Sequence, residues 1–91
     1  MTTTYRRADD VVYEMADERA VLLDAAGTEL ITLNPVGSIV WQELDGRRDA
    51  AALAADLVDR FDGVGLDELA SDIADFLGEL AEIGVAIDAG R

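Results

Sequence analysis

The sequence has no cysteine, no histidine, no lysine and a single proline; all seven of its basic residues are arginine. Without cysteine there is no disulfide to hold a small fold together and no thiolate for nucleophilic or metal chemistry. Without histidine, the commonest general base and the commonest metal ligand are both missing. Ser38 and Ser71 therefore have neither of the side chains that usually activate a serine hydroxyl. Positive charge is scarce too: 20 acids against 7 bases give a net charge of −13. A surface of that sign repels phosphate backbones and anionic lipid, so neither nucleic acid nor membrane is an expected partner. No apolar run approaches the ~18 residues a membrane-spanning helix requires. The N-terminus, MTTTYRRADD, lacks the apolar core of a signal peptide. A cytoplasmic location is expected.

What remains is a globular composition, 51% hydrophobic and 30% charged, in 91 residues. That length fits one domain, which would bury only roughly 60–65% of its unfolded surface and so be thinly stabilised. The first eight residues are polar and predict a flexible segment (1–8) ahead of a domain spanning 9–88. Val11 to Met15, Arg19 to Asp24 and Glu29 to Leu33 are short runs rich in β-branched and apolar residues. Ala16-Asp17-Glu18 and Ala25-Ala26-Gly27-Thr28 separate them, with Gly27 free to take positive φ, so an antiparallel meander is expected.

Asn34-Pro35 is a helix start, a capping side chain followed by the residue best suited to the first helical position. Val36, Ile39, Val40 and Leu44 then recur at helical spacing, with Trp41 beside them as a core residue, and Asp45-Gly46 ends the helix. Asp49 predicts a second cap, followed by Leu53, Leu57, Val58 and Phe61 on one face; Asp62 to Gly65 form a turn. The last helix is predicted from about Asp67 to Ile83, stopping at Gly84. Its core stripe reads Leu69, Ile73, Phe76, Leu80 and Ile83, widened by Leu77. Glu68, Asp72, Asp75, Glu79 and Glu82 form an acidic flank, and Ala70, Ala74 and Ala81 a smooth one. Val85 to Ile87 predict a short extended tail. The fold class is α+β: a winged helix-turn-helix, with a three-stranded antiparallel sheet followed by three helices.

A helix-turn-helix raises the question of DNA, but no arginine or lysine lies between Asp67 and Ile83, where a reading helix needs cations. Asp72, Asp75 and Glu79 read as a solvated face rather than a catalytic carboxylate pair, which requires a cleft and a raised pKa. Asp62-Gly63-Val64-Gly65 lacks the spacing of a calcium loop. No enzymatic activity, metal or cofactor is expected. The third strand is the unexplained element. Leu30 and Thr32 point opposite to Ile31 and Leu33, so both of its faces are partly apolar, and nothing within it blocks pairing.

The residues Leu22-Leu23-Asp24, then Leu33-Asn34-Pro35-x-Gly37-x-Ile39-x-Trp41-x-x-Leu44-Asp45-Gly46, resemble the PqqD-like family. Leu57, Phe61 and Asp72-Ile73-x-x-Phe76-Leu77-x-x-Leu80-x-x-x-Gly84-Val85 extend the resemblance over roughly residues 11 to 87. Where family members usually carry aromatic residues in the third strand, this chain has Leu30 and Ile31.

The resemblance implies a winged helix-turn-helix peptide chaperone, the recognition element of a pathway that modifies ribosomally made peptides. Such a domain would bind the leader of a precursor peptide as an added strand. It would then present the peptide to a maturation enzyme, either a radical SAM protein or the leader peptidase of a lasso-peptide pathway. Carried onto this chain, the docking residues would be Glu29, Leu30, Ile31, Thr32 and Leu33 of the strand, with Ile73, Phe76 and Leu77 forming pockets. Asp72 and Glu79 would meet basic residues of the leader. Proline at Ile31 is expected to abolish docking more than folding. A homodimer through the third strand is the alternative.

Overall fold

In the computed structural model, residues 3–24 and 27–89 are described. The chain order is β1 (Tyr5–Arg7), β2 (Val12–Ala16), β3 (Arg19–Leu23), β4 (Leu30–Thr32), α1 (Pro35–Glu43), α2 (Ala50–Leu57), a 3-10 turn (Val58–Arg60), α3 (Leu66–Glu82) and β5 (Ala86–Asp88). Strands β2, β3 and β4 form the expected antiparallel meander, in that order. The β2–β3 hairpin pairs Ala16 with Arg19 across a two-residue turn, Asp17 taking φ 60°, a left-handed conformation that aspartate tolerates. Gly27 has positive φ, as expected of the next turn, while Ala25 and Ala26 of that turn lie outside the described residues.

The N-terminus differs from the expectation of a flexible 1–8 segment. Tyr5–Arg7 pairs antiparallel with Ala86–Asp88, Arg6 opposite Ile87, and makes a second, two-stranded sheet. A three-residue strand carries too little periodicity to read locally, and its partner lies at the far end of the chain. Met1 and Thr2 are outside the described residues. Arg7 on β1 donates to the carbonyl oxygens of Trp41 and Gln42 at the C-terminal end of α1, at 3.0 and 3.2 Å. Its guanidinium also lies over the rings of Tyr13 and Trp41. The N-terminal strand thus holds α1 against the sheet.

Both helix starts use the residues expected of them. The Asn34 side chain accepts from the Gly37 amide and the Asp49 side chain from the Ala52 amide, at 2.7 and 2.8 Å. Arg48 fastens the corner between α1 and α2 by ion pairs to Glu43, Asp45 and Asp56. One core is shared by sheet and helices: Leu22 and Leu33 from the sheet side, Val40, Trp41 and Leu44 from α1, Leu53 and Leu57 from α2, and Leu69, Ile73, Leu77 and Leu80 from α3. Two members of the expected α3 stripe depart from it. Phe76 is half-buried and Ile83 is 50% exposed. By helical periodicity both lie on the side of α3 that carries Asp72, whereas Ile73 and Leu77 are turned into the core.

Ser38, fully buried, joins sheet to helix. Its hydroxyl accepts from the Ala20 amide of β3 (2.7 Å) and donates to the Asn34 carbonyl (2.8 Å). It therefore takes the place that the Leu33 carbonyl would fill if the β3–β4 ladder continued. That carbonyl accepts instead from Arg19 Nε at 3.1 Å. The two strands part at this point, and the chain turns into α1.

Candidate functional site

Among the described residues β4 pairs with β3 and with no other strand, so its second side is an open sheet edge. Which backbone groups face that edge follows from hydrogen-bond parity. The register sets Leu22 opposite Ile31 and Leu23 opposite Leu30. At the two ends of the ladder, Leu33 donates its amide to Ala20, and Asp24 donates to the Glu29 carbonyl. Glu29, Ile31 and Leu33 therefore turn their backbone groups inward to β3. Leu30 and Thr32 turn theirs to the open edge, offering up to two donors and two acceptors. The edge has no proline, lysine or bulge to discourage pairing.

The side chains alternate in the same way. Ile31 and Leu33 face the helices and pack with the core, while Leu30, 70% exposed, and Thr32 face solvent on the other side of the sheet. The start of the strand is fixed by Asp24, whose carboxylate accepts from the amides of Thr28 and Glu29 at 2.9 and 3.4 Å. These bonds, the Thr28 amide foremost, hold the Asp24 carboxyl below its ordinary pKa.

Where β4 ends, a groove of about 290 Å³ opens between α1 and α3, lined by Asn34, Val36, Gly37, Val40, Asp72, Ile73 and Phe76. Asn34 and Val36 follow β4 directly in the chain, so edge and groove form one continuous surface. An extended segment paired to β4 would place alternate side chains on the Ile31/Leu33 face, toward the helices. The groove is apolar at its base and acidic at its rim. Helix α3 carries Asp67, Glu68, Asp72, Asp75, Glu79 and Glu82, and no basic residue occurs from Phe61 to Ala89. The arrangement offers main-chain hydrogen bonds, an apolar seat and negative charge. It offers no activated nucleophile: the Ser38 hydroxyl is committed inside the core, and Ser71 is exposed on α3 in a chain without the histidine or lysine that would activate it.

The ten residues expected to form the site are thus divided. The structure brings Asp72, Ile73 and Phe76 together in the groove, next to the strand formed by Leu30, Ile31 and Thr32, with Glu29 and Leu33 at its ends. Leu77 is elsewhere: it is 1% exposed and faces α2 and Tyr5, where it borders a second, alanine-rich hollow. One residue along a helix is a turn of about 100°, enough to carry Leu77 from the groove side to the core side. Glu79 is exposed on α3 and is not among the groove residues. The reading of Ile31 as the docking donor is also corrected, because its amide belongs to the β3 ladder. Four groove residues were not anticipated: Asn34, Val36, Gly37 and Val40. The signal for them was the glycine two residues into a helix, a poor helix former placed where the sequence had no turn.

Three comparisons with known proteins bear on this site. Residues 19–86 match the family model described as Coenzyme PQQ synthesis protein D (PqqD). The PqqA binding protein of Pseudomonas fluorescens (strain Pf0-1) is 38% identical over 76 residues, covering 84% of this chain and 79% of that protein. PqqA binding protein 1 of Pseudomonas putida is 40% identical over 65 residues, covering 71% and 67% of the two chains. Among solved structures, the lasso peptide synthetase B1 complexed with the leader peptide superposes with a TM-score of 0.78 at 26% identity, over 91% of this chain and 96% of that one. TbiB1 in complex with the TbiA(beta) leader peptide has the same fold, at TM-score 0.78 and 24% identity over 94% and 96% of the chains. The chain belongs to the PqqD family.

Proposed function

We propose that this protein is a non-catalytic carrier that binds the leader of a ribosomally made precursor peptide by strand addition to β4 and presents it to a maturation enzyme. The observation that carries the reading is the open edge of β4 running into an apolar groove without interruption. The relatives support it: two are PqqA binding proteins, and the lasso synthetase B1 of the same fold is complexed with a leader peptide. Chemistry then belongs to the partner, a radical SAM enzyme or a leader peptidase. Asp72 at the groove, with Glu79 further along α3, suits a leader with basic residues. Function in the cytoplasm follows from such a pathway; among the described residues no helix is long and apolar enough to cross a membrane.

The test is binding of fluorescently labelled PqqA and TbiA(beta) leader peptides to the wild type and to Thr32→Pro. Thr32→Pro removes an edge donor and puts a ring where the added strand would lie. Saturable binding by the wild type and its loss in Thr32→Pro is the expected result. Equal affinity in the two proteins would rule out β4 as the docking edge. Light scattering on the same samples addresses the alternative occupant of the edge, a second copy of this chain. A dimer that Thr32→Pro dissociates, together with no peptide binding, would replace the carrier reading.

A further inference from the structure

The groove contains one contact that no docking argument requires. Gly37 lies in the first turns of α1 and is buried beneath Phe76 of α3. A methyl group on Gly37 would sit 3.1 Å from both Cε1 and Cζ of the Phe76 ring, and 3.1 Å from Asn34 Oδ1. That separation is shorter than ordinary carbon–carbon contact, so a side chain there would have to displace the ring. Helix α3 has little freedom to retreat, because Ile73 and Leu77 on either side of Phe76 are locked in the core. Of the two side chains the methyl would meet, Asn34 is held by its cap bond to the Gly37 amide, whereas the Phe76 ring has room to give, because its partly exposed side borders the groove.

Glycine is otherwise a poor choice at this position. It has no positive φ and makes no turn; within a helix it is worse than any residue but proline. What it provides is the missing methyl. Resting on the proposed peptide docking, we infer that Gly37 sets the width of the groove by letting Phe76 settle against α1, and that this width selects peptides bearing a bulky apolar side chain at one fixed position. Gly37 is a positioning residue that acts through Phe76. A larger residue at 37 narrows the seat and shifts the selection toward small side chains.

A random library of displayed extended dodecapeptides, selected against wild type, Gly37→Ala and Gly37→Ala/Phe76→Leu, tests this and does not require the natural leader to be identified. Wild type is expected to enrich Leu, Phe, Tyr or Trp at one position, and Gly37→Ala to enrich Val or Ala there. Peptides selected by wild type should lose about tenfold or more in affinity for Gly37→Ala, the scale of a methylene misfit in an apolar pocket. Phe76→Leu in the same chain should restore their binding, since the shortened wall makes room for the added methyl. Loss that arose only through the Asn34 cap would not be rescued in this way. Identical preferences in wild type and Gly37→Ala, or equal loss for peptides of every size, would overturn the inference and leave docking intact. No enrichment by the wild type would overturn docking and the inference together. If circular dichroism shows Gly37→Ala unfolded, Phe76→Leu alone decides: the widened groove should favour Trp over Leu, and an unchanged preference refutes the role of the wall.

Discussion

Removing the Ser38 hydroxyl tests how the sheet is joined to α1. In Ser38→Ala the Asn34 carbonyl keeps a partner, because the Ser38 amide also donates to it at 2.8 Å. The Leu33 carbonyl keeps Arg19. The group left bare is the Ala20 amide, in a residue with no solvent exposure. An unsatisfied buried donor costs about 1–3 kcal/mol. Alanine is the better helix former by about 0.5 kcal/mol, which offsets part of that. The net loss is therefore about 0.5–2.5 kcal/mol, a fall in melting temperature of about 3–13 °C for a domain of this size. Thermal melts followed at 222 nm measure the first quantity, and hydrogen exchange at the Ala20 amide measures its cause. Ser71→Ala, on the exposed side of α3, is the control and should stay within about 0.5 kcal/mol of wild type. A melting temperature within about 2 °C of wild type, with Ala20 protection unchanged, would refute the assignment. It would mean that the Leu33 carbonyl closes the ladder when the hydroxyl is gone.

Three further outcomes follow from the same geometry. Ile31→Pro should lower the melting temperature far more than Thr32→Pro, because it breaks the β3 ladder whereas Thr32→Pro alters only the outer edge; equal melts would show the parity to be wrong. If Asp72 meets a basic leader residue, peptide affinity should fall as salt rises, and Asp72→Asn should flatten that slope; an unchanged slope would assign Asp72 to solubility alone. The Asp45 carboxyl is held below its ordinary pKa, first by the Arg47 amide and then by the Arg48 amide and charge. Its contribution to stability is therefore complete above the ordinary aspartate value, about 3.9, and fades as pH falls through the lowered one. The stability gap between wild type and Asp45→Asn should be constant from about pH 7 to 5 and close below about pH 4. Using the gap cancels the relief of acidic self-repulsion that both proteins share, and a gap widening in acid would reverse the assignment.

Asn34-Pro35 could be read from the sequence because a cap and a first-turn proline act within one helical turn, and the structure has the Asn34 cap bond in place with Pro35 at the first helical position. The meander and α3 were legible for the same reason: turns and periodicity are local. The strand Tyr5–Arg7 was not, since the strand it pairs with is at the other end of the chain. Phe76 and Ile83 have the spacing of core residues, yet burial depends on what lies opposite: the groove lies opposite Phe76, and Ile83 is left half exposed. Leu77 shows the converse, one residue from the groove and turned wholly away from it.

Residue content and short-range pattern were enough to establish that this protein could not work by histidine, cysteine or lysine chemistry, that it would shun phosphate, and that its third strand lacked protection. None of these depends on how distant parts of the chain meet. Which backbone groups of that strand are free does depend on it, because the parity is set by register with β3. So does the placing of Gly37 under Phe76, since a contact between two helices far apart in the chain is set by how both pack on a common core.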